Sequence, residues 1–172
     1  MDIHFAEDNF LSLELKRHVF KLFLDDSVAG AGISEWLDSA PCPLLVYAKV
    51  SVEDIARLSM LETAGFRVVD VNVQMEMPAG GHPLSGNTII REAVQEDRSS
   101  VERIASGSFV YSRFHLDPAI PDELANNIKG KWAGNYFDGR RGSNMIVAEA
   151  EGTIAGFLHL LRHEDVLTID LI

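Results

Sequence analysis

The amino-acid sequence predicts an α/β chain in two parts, and three observations carry that prediction. Residues 1–78 read strand, helix, strand, helix, strand, from apolar runs of strand length alternating with stretches of helical spacing. Residues 79–87, AGGHPLSGN, hold glycines and a proline without periodicity and read as a linker. Residues 88–172 read strand, helix, helix and then three strands in a meander, which predicts a mixed, mostly antiparallel sheet with flanking helices.

In the first part, FLSLELKRHVFKLFL (10–24) holds a short segment of ambiguous period and then a strand around His18 to Leu24. AGISEWLDSA (31–40) has helical spacing and is stopped by Pro41. LLVYAK (44–49) is a continuous apolar run, the pattern of a strand buried on both faces. Ser51 and Asp54 give the S-x-x-D spacing of a capping box, and Val52, Ile55, Ala56, Ser59 and Met60 trace the apolar stripe of a helix that Gly65 ends. FRVVDVNVQMEM (66–77) alternates, with Val69, Val71, Val73 and Met75 on one side, and predicts a strand that extends the sheet of the second part.

In the second part, TIIREA (88–93) predicts a strand. Val101, Ile104, Ala105, Ser108 and Phe109 then fall on one helical face, with Glu96 and Asp97 in the first turn, where the helix dipole favours acids. VYSRFHLDPAIP (110–121) reads as a loop, and Leu124, Ile128 and Trp132 mark a second helix over 122–137. MIVAEAEGTIAGFLHLL (145–161) predicts a hairpin turning at Glu151-Gly152, with Ile146, Ala148 and Ala150 set against Ile154, Gly156 and Leu158. The last strand places Leu167, Ile169 and Leu171 on one face.

Composition narrows the function. The chain has 172 residues, 47% of them apolar, enough for one ordinary domain or two small ones. It carries 15 Lys and Arg against 26 Asp and Glu, a formal charge of −11, which repels phosphate backbones and argues against a nucleic-acid partner. Cys42 stands alone between two prolines, so no intrachain disulfide forms, in keeping with a reducing, cytoplasmic setting. The acidic start MDIHFAEDNF lacks the apolar core of a signal peptide, and no apolar run reaches the ~18 residues of a membrane span.

Several motifs fail on their context. His159 and His163 are four apart, but on a strand and without a third ligand, so no metal site is predicted. Gly30-Ala31-Gly32 lacks the third glycine of a dinucleotide loop, and no G-x-S-x-G elbow occurs. Trp36 and Trp132 fall on apolar helix faces and read as core. Arg140-Arg141-Gly142 reads as a turn with two solvated charges, or as a phosphate contact.

The order of elements, together with IIREAVQEDRSSVERIASGSF, MIVAEAEGTIAGFLHLL and TIDLI, resembles the opening half of the GNAT superfamily of acyl-CoA N-acyltransferases. VYSRFHLDPAIP, KWAGNYFDG and MLETAGFRVVDVNVQMEMP are similar to segments of its nucleotide-sugar branch, which acts on dTDP-fucosamine. The resemblance implies an N-acetyltransferase that takes acetyl-CoA as co-substrate and a sugar amine as acceptor. In that superfamily a phosphate-cradling loop at a helix N-terminus follows the fourth strand. No such loop follows TIDLI here, so the resemblance implies a fragment or truncated product, inactive alone.

The resemblance also implies a site. Main-chain groups of Leu171 and Ile172 would meet the acetyl-CoA, their side chains being core. Ser112, Arg113, Phe114 and His115 would line the acceptor, with Arg113 suited to a diphosphate and His115 either a base or a satisfied loop histidine. The catalytic acid and base are not identified. Two other readings stand beside this one. The chain is an inactive module that dimerises through its exposed last strand, or it belongs to a GNAT protein acting on another small amine. The net negative charge does not favour an anionic acceptor.

Overall fold

A computed structural model describes residues 4–24, 30–78, 80 and 88–172. The linker expected at 79–87 lies outside the described residues, apart from Gly80. Tertiary contacts divide the chain into two units, Met1–Val69 and Asp70–Ile172.

The first unit contains β1 (His4–Glu7), α1 (Asn9–Leu15), β2 (His18–Phe23), α2 (Gly30–Ser39), β3 (Leu44–Ala48) and α3 (Ile55–Thr63). The sheet order is β1-β2-β3, with β1 antiparallel and β3 parallel to β2. Asp8 starts α1 by accepting the Leu11 N–H at 3.0 Å, and Lys16 ends it in the left-handed region, φ 51°. Helix α1 therefore resolves the segment of ambiguous period that precedes β2. Leu22, Ile33 and Leu61 form the core of this unit. Trp36 is half-buried and stacks on Phe5 with centroids 3.6 Å apart.

Three expectations for residues 1–78 are corrected. Strand β3 is half-buried along its length, because it is the outer strand of a small sheet. Helix α3 begins at Ile55 rather than at Ser51. Asp54 is its cap, accepting the Arg57 N–H at 3.0 Å, and Val52 and Ile55 are exposed while Leu61 is buried. The residues 66–78 form no strand. Val68, Val71, Val73, Met75 and Met77 are exposed. Alternation makes one face apolar, but a strand also needs a partner ladder for its backbone groups, and no described strand pairs with this segment. It therefore does not extend the second sheet.

The second unit is a mixed α/β arrangement built on an antiparallel sheet flanked by helices, compatible with the fold class read from the sequence. It runs β4 (Ile89–Glu92), a 3-10 turn (Gln95–Asp97), α4 (Arg98–Ser108), α5 (Arg113–Leu116), α6 (Asp122–Gly134), β5 (Asn144–Ala150), β6 (Thr153–His163) and β7 (Val166–Leu171). The order β4-β5-β6-β7 is antiparallel throughout. Helices α4 and α6 pack closely because Gly130 and Gly134 present no side chain. A Cβ at either position would collide with Ser106 or Glu102 of α4. Val101, Ala105 and Ala133 from these helices meet Met145, Val147, Phe157 and Leu171 from the sheet.

Asp97 does more than complement a helix dipole. Arg91 of β4 donates to both its oxygens, at 2.6 and 2.9 Å, and the Val94 N–H donates at 2.9 Å. These bonds, led by that from Arg91, hold its carboxyl below the usual range despite burial. The pair ties the first strand to the start of α4. The 110–121 stretch, expected as a loop, includes α5, with Phe114 and Ile120 buried as its anchors. Helix α6 ends at Gly134, three residues before the expected boundary.

The hairpin turns at Glu151 and Gly152, both left-handed, φ 52° and 73°, as a two-residue turn requires. Ile146 pairs with Leu158 and Ala148 with Gly156, but a bulge near Glu149 sets Ala150 against Thr153 rather than Ile154. The helices cover the opposite face, that of Met145, Val147 and Phe157. A second bulge bears on the site. His159 pairs with Leu171 and Leu160 with Ile169, so Asp170 is an extra residue in β7. Leu167 and Ile169 are consequently exposed while Leu171 enters the core, and the expectation of one shared face fails. Among the described residues no helix is long and apolar enough to cross a membrane.

Candidate functional site

A chain of cationic and aromatic side chains runs from the end of α4 to the end of β7. Residues 129 and 132 lie three apart on α6 and so share a face. The Lys129 ammonium sits 4.7 Å from the Phe109 ring centroid, 5.3 Å from Trp132 and 5.8 Å from Phe114. The Arg113 guanidinium lies 4.7 Å from Phe114 and 6.0 Å from Trp132. Arg141, from the segment joining α6 to β5, lies 4.6 Å from Trp132. These separations suit cation–π attraction. Trp132 is therefore a half-buried platform under three cations, not the core residue the sequence predicts.

The charges are unevenly compensated. Arg141 donates to both oxygens of Asp170, at 2.7 and 2.6 Å. Lys129 has no hydrogen-bond or ion-pair partner among the described residues, and its pKa is lowered, first by burial and then by Arg113, with Arg141 adding to the effect. Asp170 and Asp70 oppose that shift without cancelling it.

Asp170 also faces His159, whose Nδ1 is 3.2 Å from Oδ2. The two meet in distance but not in hydrogen-bond alignment, so the contact is chiefly electrostatic. Burial works against the Asp170 charge, yet His159 and Arg141 together hold its carboxyl well below the usual range. His159 is fully buried, with the Tyr136 ring edge-on at 5.8 Å. Gly142, φ +87°, lays its backbone against this imidazole, and a Cβ there would collide with Nε2. The bulge at Asp170 turns the carboxylate toward this network.

The structure brings together only part of the site expected from the sequence. Arg113 stands in the cluster, and Phe114 is buried as part of its wall. Ser112 and His115 are committed locally. The Ser112 hydroxyl donates to His115 Nδ1 at 2.7 Å, and Nε2–H donates to Asn126 Oδ1 at 2.9 Å, a single tautomer serving both. His115 thereby fastens α5 to α6. Leu171 is core beside His159, whereas the Ile172 side chain is exposed, against the expectation that both are core. Lys129, Trp132 and Asp170 are not among the site residues the sequence points to, and Arg141 enters only as half of the Arg140-Arg141 alternative of a phosphate contact; the Lys129 to Trp132 spacing on a helix is a usable signal. Among the described residues no group of three metal-ligating side chains occurs.

No family model matches the chain. It is 35% identical over 75 residues to the spore coat polysaccharide biosynthesis protein SpsD of Bacillus subtilis, covering 44% of this chain and 26% of that protein. It is 27% identical over 116 residues to the dTDP-fucosamine acetyltransferase of Escherichia coli O6:H1, covering 67% of this chain and 50% of that protein. The chain thus spans half or less of the length of these curated relatives, to which it is distantly similar.

Proposed function

We propose that the chain belongs to an acetyltransferase of GNAT type that moves an acetyl group from acetyl-CoA to the amine of a nucleotide-linked sugar, with residues 1–78 as a separate N-terminal domain. The observation that carries this reading is the similarity to dTDP-fucosamine acetyltransferase over two thirds of the chain. The cluster supports it, because an acidic chain that gathers three cations on an aromatic platform is suited to a phosphorylated acceptor.

The described residues fit acetyl-CoA at one point. Among the described residues strand β7 is the outer strand of its sheet, and its outward N–H and C=O groups would offer a ladder to an extended pantetheine-like arm. When bound, acetyl-CoA supplies the thioester carbonyl that the amine attacks. The chain's own part would be to donate main-chain N–H groups near Leu171 and Ile172 to charge developing on oxygen. Arg113 and Phe114, with Lys129, would hold the acceptor, while Ser112 and His115 shape the wall by fixing α5. The attacking amine must be neutral, and Asp170, locked to Arg141 and held well below the usual carboxylate range, is unsuited to take its proton.

The test is product formation from acetyl-CoA with a dTDP-amino sugar, the free amino sugar and a small polyamine, read by mass spectrometry. N-Acetylation favouring the nucleotide-linked sugar is expected. Equal acetylation of the polyamine would point to another small-amine acceptor, and no product from any sugar amine would overturn the proposal. A second reading has its own observation: Val166, Leu167 and Ile169 are exposed on the outer strand β7, which favours a non-catalytic module that pairs two copies there. Light scattering separates that reading, which requires a dimer that Ile169→Lys dissociates.

A further inference from the structure

We propose that Ser112, His115 and Asn126 act as nucleophile, base and orienter in cleaving a neutral carboxylic ester of a small acyl group. The inference goes beyond the acetyltransferase reading and does not rest on it, since ester cleavage needs neither acetyl-CoA nor a sugar amine. The Ser112 hydroxyl donates to His115 Nδ1 at 2.7 Å, and Nε2–H donates to Asn126 Oδ1 at 2.9 Å. An activated serine needs these roles in this order: a hydroxyl, an imidazole, and an acceptor that fixes the tautomer. Two helices supply them, because Ser112 immediately precedes α5, His115 lies on α5 and Asn126 lies on α6. Ser112 also forgoes a structural task to make this contact. It stands at the N-cap of α5, where a serine ordinarily accepts a backbone N–H, yet its side chain makes no capping bond.

The three side chains are half-buried, and Tyr111 next to Ser112 is 84% exposed, so a small ester can reach Oγ from solvent. In the first step the Ser112 proton moves to Nδ1 while Oγ bonds to the ester carbonyl carbon. The ester C–O bond then breaks, and the departing alcohol takes the proton from Nδ1. In the second step water attacks the acyl-serine, a proton passes through Nδ1 back to Oγ, and the carboxylic acid leaves. The sum is ester plus water to acid plus alcohol, with no further reactant. The imidazolium formed in each step faces an amide oxygen rather than a carboxylate, so Asn126 orients the ring but stabilises its charge weakly. A slow esterase is the expected result. The formal charge of −11 favours neutral esters over anionic ones.

The purified chain is incubated with p-nitrophenyl acetate and, separately, with a fluorophosphonate that labels activated serines, the labelled peptide being identified by mass spectrometry. Release of p-nitrophenol and a label on Ser112 are expected. Ser112→Ala should remove the label and lower the rate about tenfold or more, the scale of a lost general-base pathway. Asn126→Asp should raise the rate, since a carboxylate stabilises the imidazolium better, and an Asn126 that only packs α6 against α5 would give no such gain. The label is read on the wild-type protein, so it decides even where a variant fails to fold. A label on another serine, or on none, would overturn the inference. So would hydrolysis unchanged in Ser112→Ala, which would mean that His115 or another surface group reacts directly, and a folded Asn126→Asp no faster than wild type would remove Asn126 from its role. Ester cleavage without acetyl transfer would leave the triad standing, and acetyl transfer without ester cleavage would remove the triad alone.

Discussion

Arg141 grips Asp170 through two parallel hydrogen bonds, from Nε to Oδ2 at 2.7 Å and from Nη2 to Oδ1 at 2.6 Å. The pair spans from the loop after α6 to the bulge in β7 and holds both against His159. A bidentate pair with the Asp170 side chain 15% exposed is stronger than a surface bridge, because solvent screens it less.

Asp170→Asn should therefore destabilise the second unit by about 2 kcal/mol near neutral pH, since it leaves the Arg141 guanidinium without its countercharge. The sign of the pH dependence follows from the lowered carboxyl. A depressed folded-state value adds stability above the ordinary carboxylate range near ~3.9, and that stability is lost as pH falls toward the folded value. The difference between wild type and Asp170→Asn should thus shrink below about pH 4, as measured by urea denaturation across pH. A constant difference would contradict the charge argument.

Gly142 and Gly139 allow a matched comparison. Both are left-handed, φ +87° and +67°, so alanine is strained at either position. Only at Gly142 would the new Cβ meet a buried group, His159 Nε2, whereas Gly139 has open space. Gly139→Ala should cost about 1 kcal/mol from backbone strain alone. Gly142→Ala should cost about 3 kcal/mol because the imidazole or the loop must shift. Thermal unfolding of the two variants distinguishes them, and equal costs would mean that the loop does not pack on His159.

The contrast between what the sequence shows and what it hides follows from how far each signal reaches. The stripe Val101, Ala105 and Phe109 identifies α4 because helix periodicity is local. The Glu151-Gly152 turn is equally local. The alternation from Val69 to Met75 misleads because pairing is not local, and nothing in a strand's own residues reports whether a partner exists. The bulge at Asp170 is hidden for the same reason: it is a property of the ladder between β6 and β7. It also reverses the faces of β7, so reading Leu171 with Ile169 was bound to fail. At the site, Arg113 could be named from its loop. Arg141 could be named from its turn and Lys129 from its spacing to Trp132, but their meeting with Asp170 could not, because Trp132 and Arg141 link α6 to the end of β7 only in three dimensions.

The exposed 66–78 segment yields a prediction of little change. Val73→Lys and Met75→Lys replace side chains that are 73% and 88% exposed. Each should shift stability by no more than about 0.5 kcal/mol. A buried strand would respond with several times that loss. Denaturant midpoints of the two variants decide between these outcomes.

Lys129 should behave in the opposite way to a residue selected for stability. Its ammonium sits against three rings, while burial and the neighbouring guanidinium groups lower its pKa. Its charge therefore costs folding free energy at neutral pH. The cost is full below the folded-state pKa and is relieved as pH rises from there toward the ordinary lysine value near ~10.4. Lys129→Met keeps the apolar stem and removes the charge, so the ligand-free variant should match or exceed wild-type stability by up to about 1 kcal/mol. The gap should close as pH rises toward that range, because the wild-type lysine then sheds its proton. Differential scanning calorimetry of both proteins from neutral to alkaline pH checks this. A variant less stable than wild type at neutral pH would show that cation–π attraction dominates and that Lys129 belongs to the packing. A variant that is more stable has the pattern expected of a residue kept at some cost to the fold for the acceptor it would hold.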